Sequence, residues 1–395
     1  MQYYPYRSRE GEIPYKILSL PKSSFVFDSC ENIRVQQAQV KWDAERIQNI
    51  FEYYCYELKA APIILSQFYN YDDPANTKLS FRNYPLDDQT VKALAMVLPF
   101  ITDITEIELN NNQMTDQVSA TLVFAFFMNP YLKRISVAYN FLRQTFNRTL
   151  AKFIAMKPEK ITDINLMGSV QFHDHIDPVI RELPKMKHLT SLNIAGCMLS
   201  QGSCRQLSLF VFMCFTLRML DVSHCRISYQ GSRYLIDALN RNTCIRNFNF
   251  SHNDLNSQSY EFSIKVASMI TRHPCLMHLD ITNTNLKREE IMFIGLAVSQ
   301  SKTLLSIHLT AQKLPYYERI FLRSIMAARV GYQQKNTQMK KDVQTNKERN
   351  QVLQMASGEV QDPSLLSYLD NLKDLDEKRK GLDIQIQDML AELDT

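Results

Sequence analysis

The sequence predicts an α/β solenoid, in which short parallel strands stack into one curved sheet and a helix covers the outside of every turn. Three observations carry that expectation. Eleven-residue segments with apolar residues in slots 1, 4, 6 and 11 recur down the chain, the step between them is nearly constant, and an amphipathic helical stretch follows the strand. The plainest copies are LTSLNIAGCML from Leu189, LRMLDVSHCRI from Leu217 and IRNFNFSHNDL from Ile245, evenly spaced along the chain. In phase with them stand NTKLSFRNYPL from Asn76, ITEIELNNNQM from Ile104, LKRISVAYNFL from Leu132, ITDINLMGSVQ from Ile161, LMHLDITNTNL from Leu276 and LLSIHLTAQKL from Leu304. The starts at 76, 104, 132, 161, 189, 217, 245, 276 and 304 therefore advance by 28, 28, 29, 28, 28, 28, 31 and 28.

Each slot has a physical task. Slots 4 and 6 alternate inward on a short strand while slots 3, 5 and 7 face outward, so stacked strands line a concave face. Slot 9 turns in where the strand bends away, and Asn112, Asn140 and Asn253 there can satisfy backbone groups that the bend leaves over, with Cys197, Cys225 and Thr284 as small substitutes. The His224–Cys225 pair, which on its own suggests a catalytic thiol, is thereby placed in slots 8 and 9, with Cys225 as a small buried ladder residue. His224 and His252 share slot 8 of adjacent repeats, about 5 Å apart along the sheet, and are expected as paired surface histidines without a metal, since Gly196 and Asn283 fill that slot on either side. The cluster His173-Asp174-His175 falls where the fourth repeat loses its slot-11 leucine and is expected as a loop tip. The helix of each repeat is clearest in SYQGSRYLIDALNRNT, where Leu235 and Leu239 repeat at i, i+4. The aromatic runs LVFAFFM and LSLFVFMCF start at Leu122 and Leu207, inside that helix, so most of their rings belong to the core and a surplus Phe can face outward.

The pattern LxxLxLxxN/CxL, on a strand-plus-helix unit with a period of 28, resembles the ribonuclease-inhibitor-like class of leucine-rich repeats over about residues 76 to 330. The expected organisation is an extended Tyr/Pro-rich arm over 1–35, a helical N-terminal cap over 36–75, the solenoid of about nine repeats over 76–330, a polar linker over 331–363 and a coiled-coil helix over 364–395. The cap helix gathers Val40, Ile47, Ile50, Phe51, Tyr54 and Leu58 on one face, as the open end of a solenoid requires. In the tail, heptad slot a holds Leu365, Leu372, Arg379, Ile386 and Leu393, and slot d holds Tyr368, Leu375, Leu382 and Met389. Those leucines, Ile386 and Met389 are the expected contact with a partner helix; the alternative is an amphipathic helix folded back on the solenoid.

Composition narrows the function. With 45% hydrophobic and 22% charged residues the chain is ordinary for a globular protein, and no apolar run approaches the length of a membrane helix. The first residues lack the apolar core of a signal peptide, so a cytoplasmic location is expected. The eight cysteines form no CxxC, which argues against a zinc ribbon or redox dithiol, and the sequon at Asn147 is read as coincidence. Residues 357–395 hold ten acids against four bases, a net −6, so that a total of +4 leaves +10 on the rest of the chain. Nucleic-acid binding is not expected, because the outward slots carry Glu106, Glu108, Asp163, Asp221 and Asp280 against Lys78 and Arg134. The expected protein-binding face comprises Glu106, Glu108, Arg134, Asp163, Asp221, His224, Asn249, His252 and Asp280, with no cofactor, metal or membrane.

No Walker loop, GxGxxG, HExxH or GxSxG is present, which points away from an enzyme. The leucine-rich resemblance implies a protein-binding scaffold. A solenoid joined to a coiled-coil tail is similar to the leucine-rich-repeat subunit of the nexin–dynein regulatory complex of cilia, which implies a structural subunit of a large hetero-oligomeric cytoskeletal assembly with coiled-coil partners. The alternative is a GTPase-activating protein similar to the Ran activator, with Arg143 as the arginine nominated for a catalytic loop; that family carries a strongly acidic C-terminal tract, whereas here the acids lie within a heptad. An inhibitor of a secreted nuclease is the third, and eight cysteines are far fewer than the ribonuclease-inhibitor family carries.

Overall fold

A computed structural model describes residues 44–68 and 77–309, apart from 102–103, 130, 157–158, 171, 173–174 and 254–259, together with the single positions 320 and 323. The arm at 1–35, the linker at 331–363, the heptad at 364–395, and His173 and Asp174 lie outside the described residues. The chain divides between Leu314 and Pro315.

Among the described residues, nine strands form one parallel sheet in strict chain order. They are β1 Lys78–Ser80, β2 Glu106–Glu108, β3 Arg134–Ser136, β4 Asp163–Asn165, β5 Ser191–Asn193, β6 Met219–Asp221, β7 Asn247–Asn249, β8 His278–Asp280 and β9 Ser306–His308. Interleaved with them are the helices α1 Ala44–Leu58, α2 Asp88–Val97, α3 Asp116–Met128, α4 Gln144–Ala155, α5 Asp177–Glu182, α6 Gln201–Met213, α7 Tyr229–Arg241, α8 Glu261–Arg272 and α9 Arg288–Gln300. Each strand occupies slots 3 to 5 of its repeat and pairs with the same slots of the next. This is the leucine-rich repeat solenoid expected from the sequence.

Burial follows the slots. Slot-4 residues from Leu79 to Leu279 are no more than 3% exposed, and slot 6 is equally closed at Leu109, Val137, Leu166 and Val222. Slot 7 differs from expectation in part: the small Ala138, Ala195, Ser223 and Ser251 are buried, whereas Asn110, Met167 and Thr282 are half-buried and Arg82 is exposed. The chain turns at slot 8, where Asn83, Asn111, Tyr139, Gly168, Gly196, His224, His252 and Asn283 all have positive φ, from 53° to 71°. Asn, His and Gly tolerate this left-handed region better than β-branched residues, which accounts for both histidines by backbone geometry. The slot-8 amides from Asn83 to His252 each donate to the slot-7 carbonyl of the following repeat, as in Tyr139 to Met167 at 2.7 Å and His224 to Ser251 at 3.0 Å.

Slot 9 then ties each repeat to the one before it. The side chains of Asn112, Asn140, Ser169, Cys197, Cys225 and Asn253 donate to the slot-6 carbonyls of Phe81, Leu109, Val137, Leu166, Ile194 and Val222. Asn140 does most, giving also to Val137 O and receiving the amides of Asn112 and Met114 at 3.1 and 3.3 Å. Cys225 is fully buried, its thiol donates to Ile194 O at 3.1 Å, and burial pushes it well above the usual thiol range. It is architecture. Asn147 of the sequon is likewise fully buried, donating to Arg143 O, so its amide is closed to modification in the folded chain.

A second ladder closes the helix ends. Asn129 accepts from Tyr131 and Leu132 and donates to Leu98 O and Ile101 O; Asn242 repeats all four bonds with Cys244, Ile245, Val211 and Cys214. His273 takes the same place, its Nδ1 accepting from Cys275 and Leu276, but its Nε2 is buried without a partner. At the start of the solenoid α1 packs beside α2 through Ile47, Phe51, Tyr54 and Cys55. The carbonyl of Phe68 accepts the Ser80 amide at 3.1 Å and its ring stacks on Phe81 at 4.3 Å, so that the first strand's edge is covered.

Two outcomes follow for stability. Asn140→Ala strands carbonyls of two repeats and is expected to cost about 2–4 kcal/mol in urea unfolding, whereas Cys225→Asn, which installs the commoner slot-9 donor, should stay within about 1 kcal/mol. Burial holds His273 down, from 6.5 to about 4. A depressed histidine means that the unfolded chain binds the proton more readily, so this contribution is complete above pH 6.5 and is lost as pH falls towards 4. His273→Asn, copying Asn129 and Asn242, should flatten the thermal midpoint across that window; an unchanged slope would show that another group sets it.

Candidate protein-binding surface

The helices cover one side of the sheet, and slots 3 and 5 of the strands make up the open side. Along it the register sets residues that are one repeat apart in sequence side by side. The two ends of this surface differ in charge.

At the N-terminal end the acids are already paired. Lys78 lies 3.0 Å from Glu106 and 2.7 Å from Glu108, Arg134 holds Glu106 at 2.7 Å, and Ser80 and Asn110 donate to Glu108 at 3.0 and 2.7 Å. Partial burial pushes both carboxyls up, but the bonds and charges of Lys78 with Arg134 (on Glu106) and of Lys78, Ser80 and Arg82 (on Glu108) outweigh it and hold both below the ordinary glutamate value. The same pairs lift Lys78 above its ordinary value against the pull of its own burial. The polar chain continues from Asn110 through Ser136 to Asn165 at 2.7 and 2.9 Å. Asp163 sits beside Arg134 in register and accepts from the Thr162 hydroxyl.

Further along, slot 5 performs a repeated task that spacing alone does not reveal. Asn165, Asn193, Asp221, Asn249 and Asp280 each accept the slot-7 amide of their own strand, those of Met167, Ala195, Ser223, Ser251 and Thr282, at 2.9 to 3.1 Å. These are Asx turns that finish the strand. Where slot 5 is Ser136 in β3, the neighbouring Asn110 supplies the acceptor to Ala138 N instead. Asn249 also donates to Asp221 at 3.0 Å. Thus Asp221, Asn249 and Asp280 belong to the expected binding face and to the fold at once. Among the described residues no cation pairs with either carboxylate.

Strands β5 to β9 border a depression of about 350 Å³, and Met219, 48% exposed, is among the residues that line it. Asp221, Asn247, Asn249, His278, Asp280 and His308 line the same depression. Met219 was not expected as a contact residue; its signal is an apolar side chain in slot 3, where the other strands hold polar ones.

His224 and His252 lie on the rim, in the slot-8 turn. Their rings stack at 3.9 Å with 13° between planes, closer than the strand spacing alone requires, and both are exposed. Nitrogen lone pairs lie in the ring planes, so parallel stacked rings cannot both aim at an ion about 2.0–2.1 Å away. No group of three His, Cys, Asp or Glu side chains among the described residues is placed to hold a metal. No helix among them is long and apolar enough to cross a membrane. Arg143 caps α4, its amide donating to Asp116 at 2.6 Å, and its side chain is exposed outside the depression.

The double role of slot 5 separates two substitutions of Asp221. Asp221→Asn retains the acceptor, as Asn193 and Asn249 do on either side, and should leave the melting temperature unchanged; Asp221→Lys removes it and should cost about 1–2 kcal/mol by thermal or urea unfolding. Equal stability of the two variants would show that the Asx turn contributes nothing.

No protein-family model and no curated protein sequence matches the chain. Among solved structures, the C-terminal domain of tropomodulin from Caenorhabditis elegans aligns with 44% of this chain and 93% of its own length, at 14% sequence identity and a TM-score of 0.33.

Proposed function

We propose that the protein is a non-enzymatic interaction scaffold whose open sheet face, over β5 to β9, binds a protein segment presenting hydrogen-bond donors and a basic side chain. The observation that carries this is the contrast along the sheet. Glu106 and Glu108 are neutralised by Lys78 and Arg134, while Asp221 and Asp280 line, with the exposed Met219, a depression in which neither forms an ion pair among the described residues. A rigid parallel sheet is preformed, so docking a partner on it costs little ordering of the scaffold. An adaptable thioether in a depression that also holds carboxylates suits a lysine or arginine whose stem lies on the sulfur and whose head meets an acid. The polar column of Asn247, Asn249 and Asn193 offers further acceptors and donors. Taken with the heptad of Leu365, Leu372, Leu375, Leu382, Ile386, Met389 and Leu393, this supports a subunit that grips one partner by its sheet and joins others by a coiled coil, as in a cytoskeletal or ciliary assembly.

The test is affinity capture from native cells with the full chain and with Asp221→Asn/Asp280→Asn/Met219→Ser. That variant keeps the Asx turns, so its melting temperature should equal that of the parent, while capture through the sheet should fall at least about tenfold. Undiminished capture would rule out this face. Imaging of the tagged chain in a ciliated cell decides the assembly: diffuse signal throughout the cytoplasm would exclude the ciliary placement.

A further inference from the structure

The outer faces of the helices differ in how much apolar surface they expose: α8 leaves Ile264 open and α9 leaves Phe293 and Leu296, but α6 exposes more than either. On α4 and α7 the positions turned away from the sheet carry Arg148, Lys152, Asp237 and Asn240. On α6, Leu209 and Phe212 stand where α7 has Asp237 and Asn240, Met213 follows and Phe215 lies just beyond, and these four are 47%, 46%, 52% and 71% exposed. The buried face of α6, with Leu207, Phe210 and Val211, is complete without them. Four large apolar side chains on two turns of chain make a patch rather than scattered exposure.

The repeat fixes what borders it. α6 packs between α5 and α7. One repeat earlier, Leu209, Met213 and Phe215 correspond to Arg181, Lys185 and Lys187; one repeat later Met213 corresponds to Arg241. The two carboxylates in the neighbourhood are engaged, Glu182 with Lys185 at 2.5 Å and Asp237 with Lys265 at 2.8 Å. Among the described residues no carboxylate pairs with Arg181, Lys187 or Arg241. The surface is thus an apolar centre with a basic border on both sides.

We infer that the outer face of α6 is a second docking surface, and that its occupant is an amphipathic helix of a partner protein bearing Leu, Ile, Met or Phe on one stripe and Asp or Glu along the stripe's edges. The patch runs along a helix at i, i+3, i+4 spacing, so a second helix laid against it interlocks by ridges and grooves. Its backbone is already hydrogen-bonded, which leaves side-chain packing as the mode of recognition. Phe212 and Phe215 are the anchors, and the cations on either side select acidic edges and repel basic ones. This surface lies on the helical side and does not depend on the proposal for the sheet.

Fluorescence anisotropy with the full chain tests it. The probe is a labelled synthetic helix of about 20 residues with leucines on one stripe and glutamates elsewhere, beside a twin in which lysine replaces every glutamate. The glutamate helix should bind, weaken with added salt, and lose at least about tenfold in affinity on Phe212→Ser/Phe215→Ser, and several-fold on Lys187→Glu/Arg241→Glu; the lysine helix should not bind. All four positions are exposed, so melting temperatures should match the parent. Equal binding of the two helices, indifference to the Phe substitutions, or sedimentation showing that the patch is covered by a second copy of the chain would overturn the inference. Asp221→Asn/Asp280→Asn should leave the anisotropy unchanged, which separates this surface from the sheet.

Discussion

The bond on which the solenoid depends runs from the slot-9 side chain of one repeat to the slot-6 carbonyl of the repeat before. A three-residue strand satisfies few of its own polar groups, and the turn that follows carries the chain into the interior with carbonyls still exposed. Asn, Ser or Cys in slot 9 covers those carbonyls and in doing so sets the spacing between repeats. The left-handed residue in slot 8 makes this possible, because it reverses the backbone while its amide continues the ladder to the next repeat. Strength comes from repetition: no single bond of this kind is large, and each one is buried, so that losing a donor exposes the full desolvation cost of its partner.

The same economy governs the open face. Slot-5 Asp and Asn side chains close their own strand ends with one oxygen, and their other polar group stays on the open face, where that of Asn249 donates to Asp221. Asp and Asn are interchangeable for the fold there and differ only in the charge that they present. The surface potential of the sheet can therefore vary along the solenoid without a change of architecture, and it does: neutral where Lys78 and Arg134 answer Glu106 and Glu108, negative around Met219. The outer helices vary as freely, since only one stripe of each is needed for the core, and α6 carries Leu209 and Phe212 where α7 carries Asp237 and Asn240. Two faces of unlike chemistry on one rigid body suit a scaffold.

The sequence by itself determined the number and phase of the repeats, a short strand in each with slots 4 and 6 turned inward, the inward ladder at slot 9 and the fate of Cys225. All of these depend on a constant period and on the chemistry of one side chain in a slot, both of which can be seen in a linear text. Tertiary structure alone decided whether an acid on the sheet is available. Glu108 and Asp280 look alike in slot 5, yet one is held by Lys78 from the adjacent strand and the other is not, because an ion pair depends on what stands one repeat away and on the rotamers that reach it. It decided also that the small slot-7 residues are buried, that His224 and His252 stack, and that Phe212 and Phe215 stay exposed between basic neighbours. Each of these is a relation between side chains of different repeats, and periodicity gives the slots without giving what meets across them.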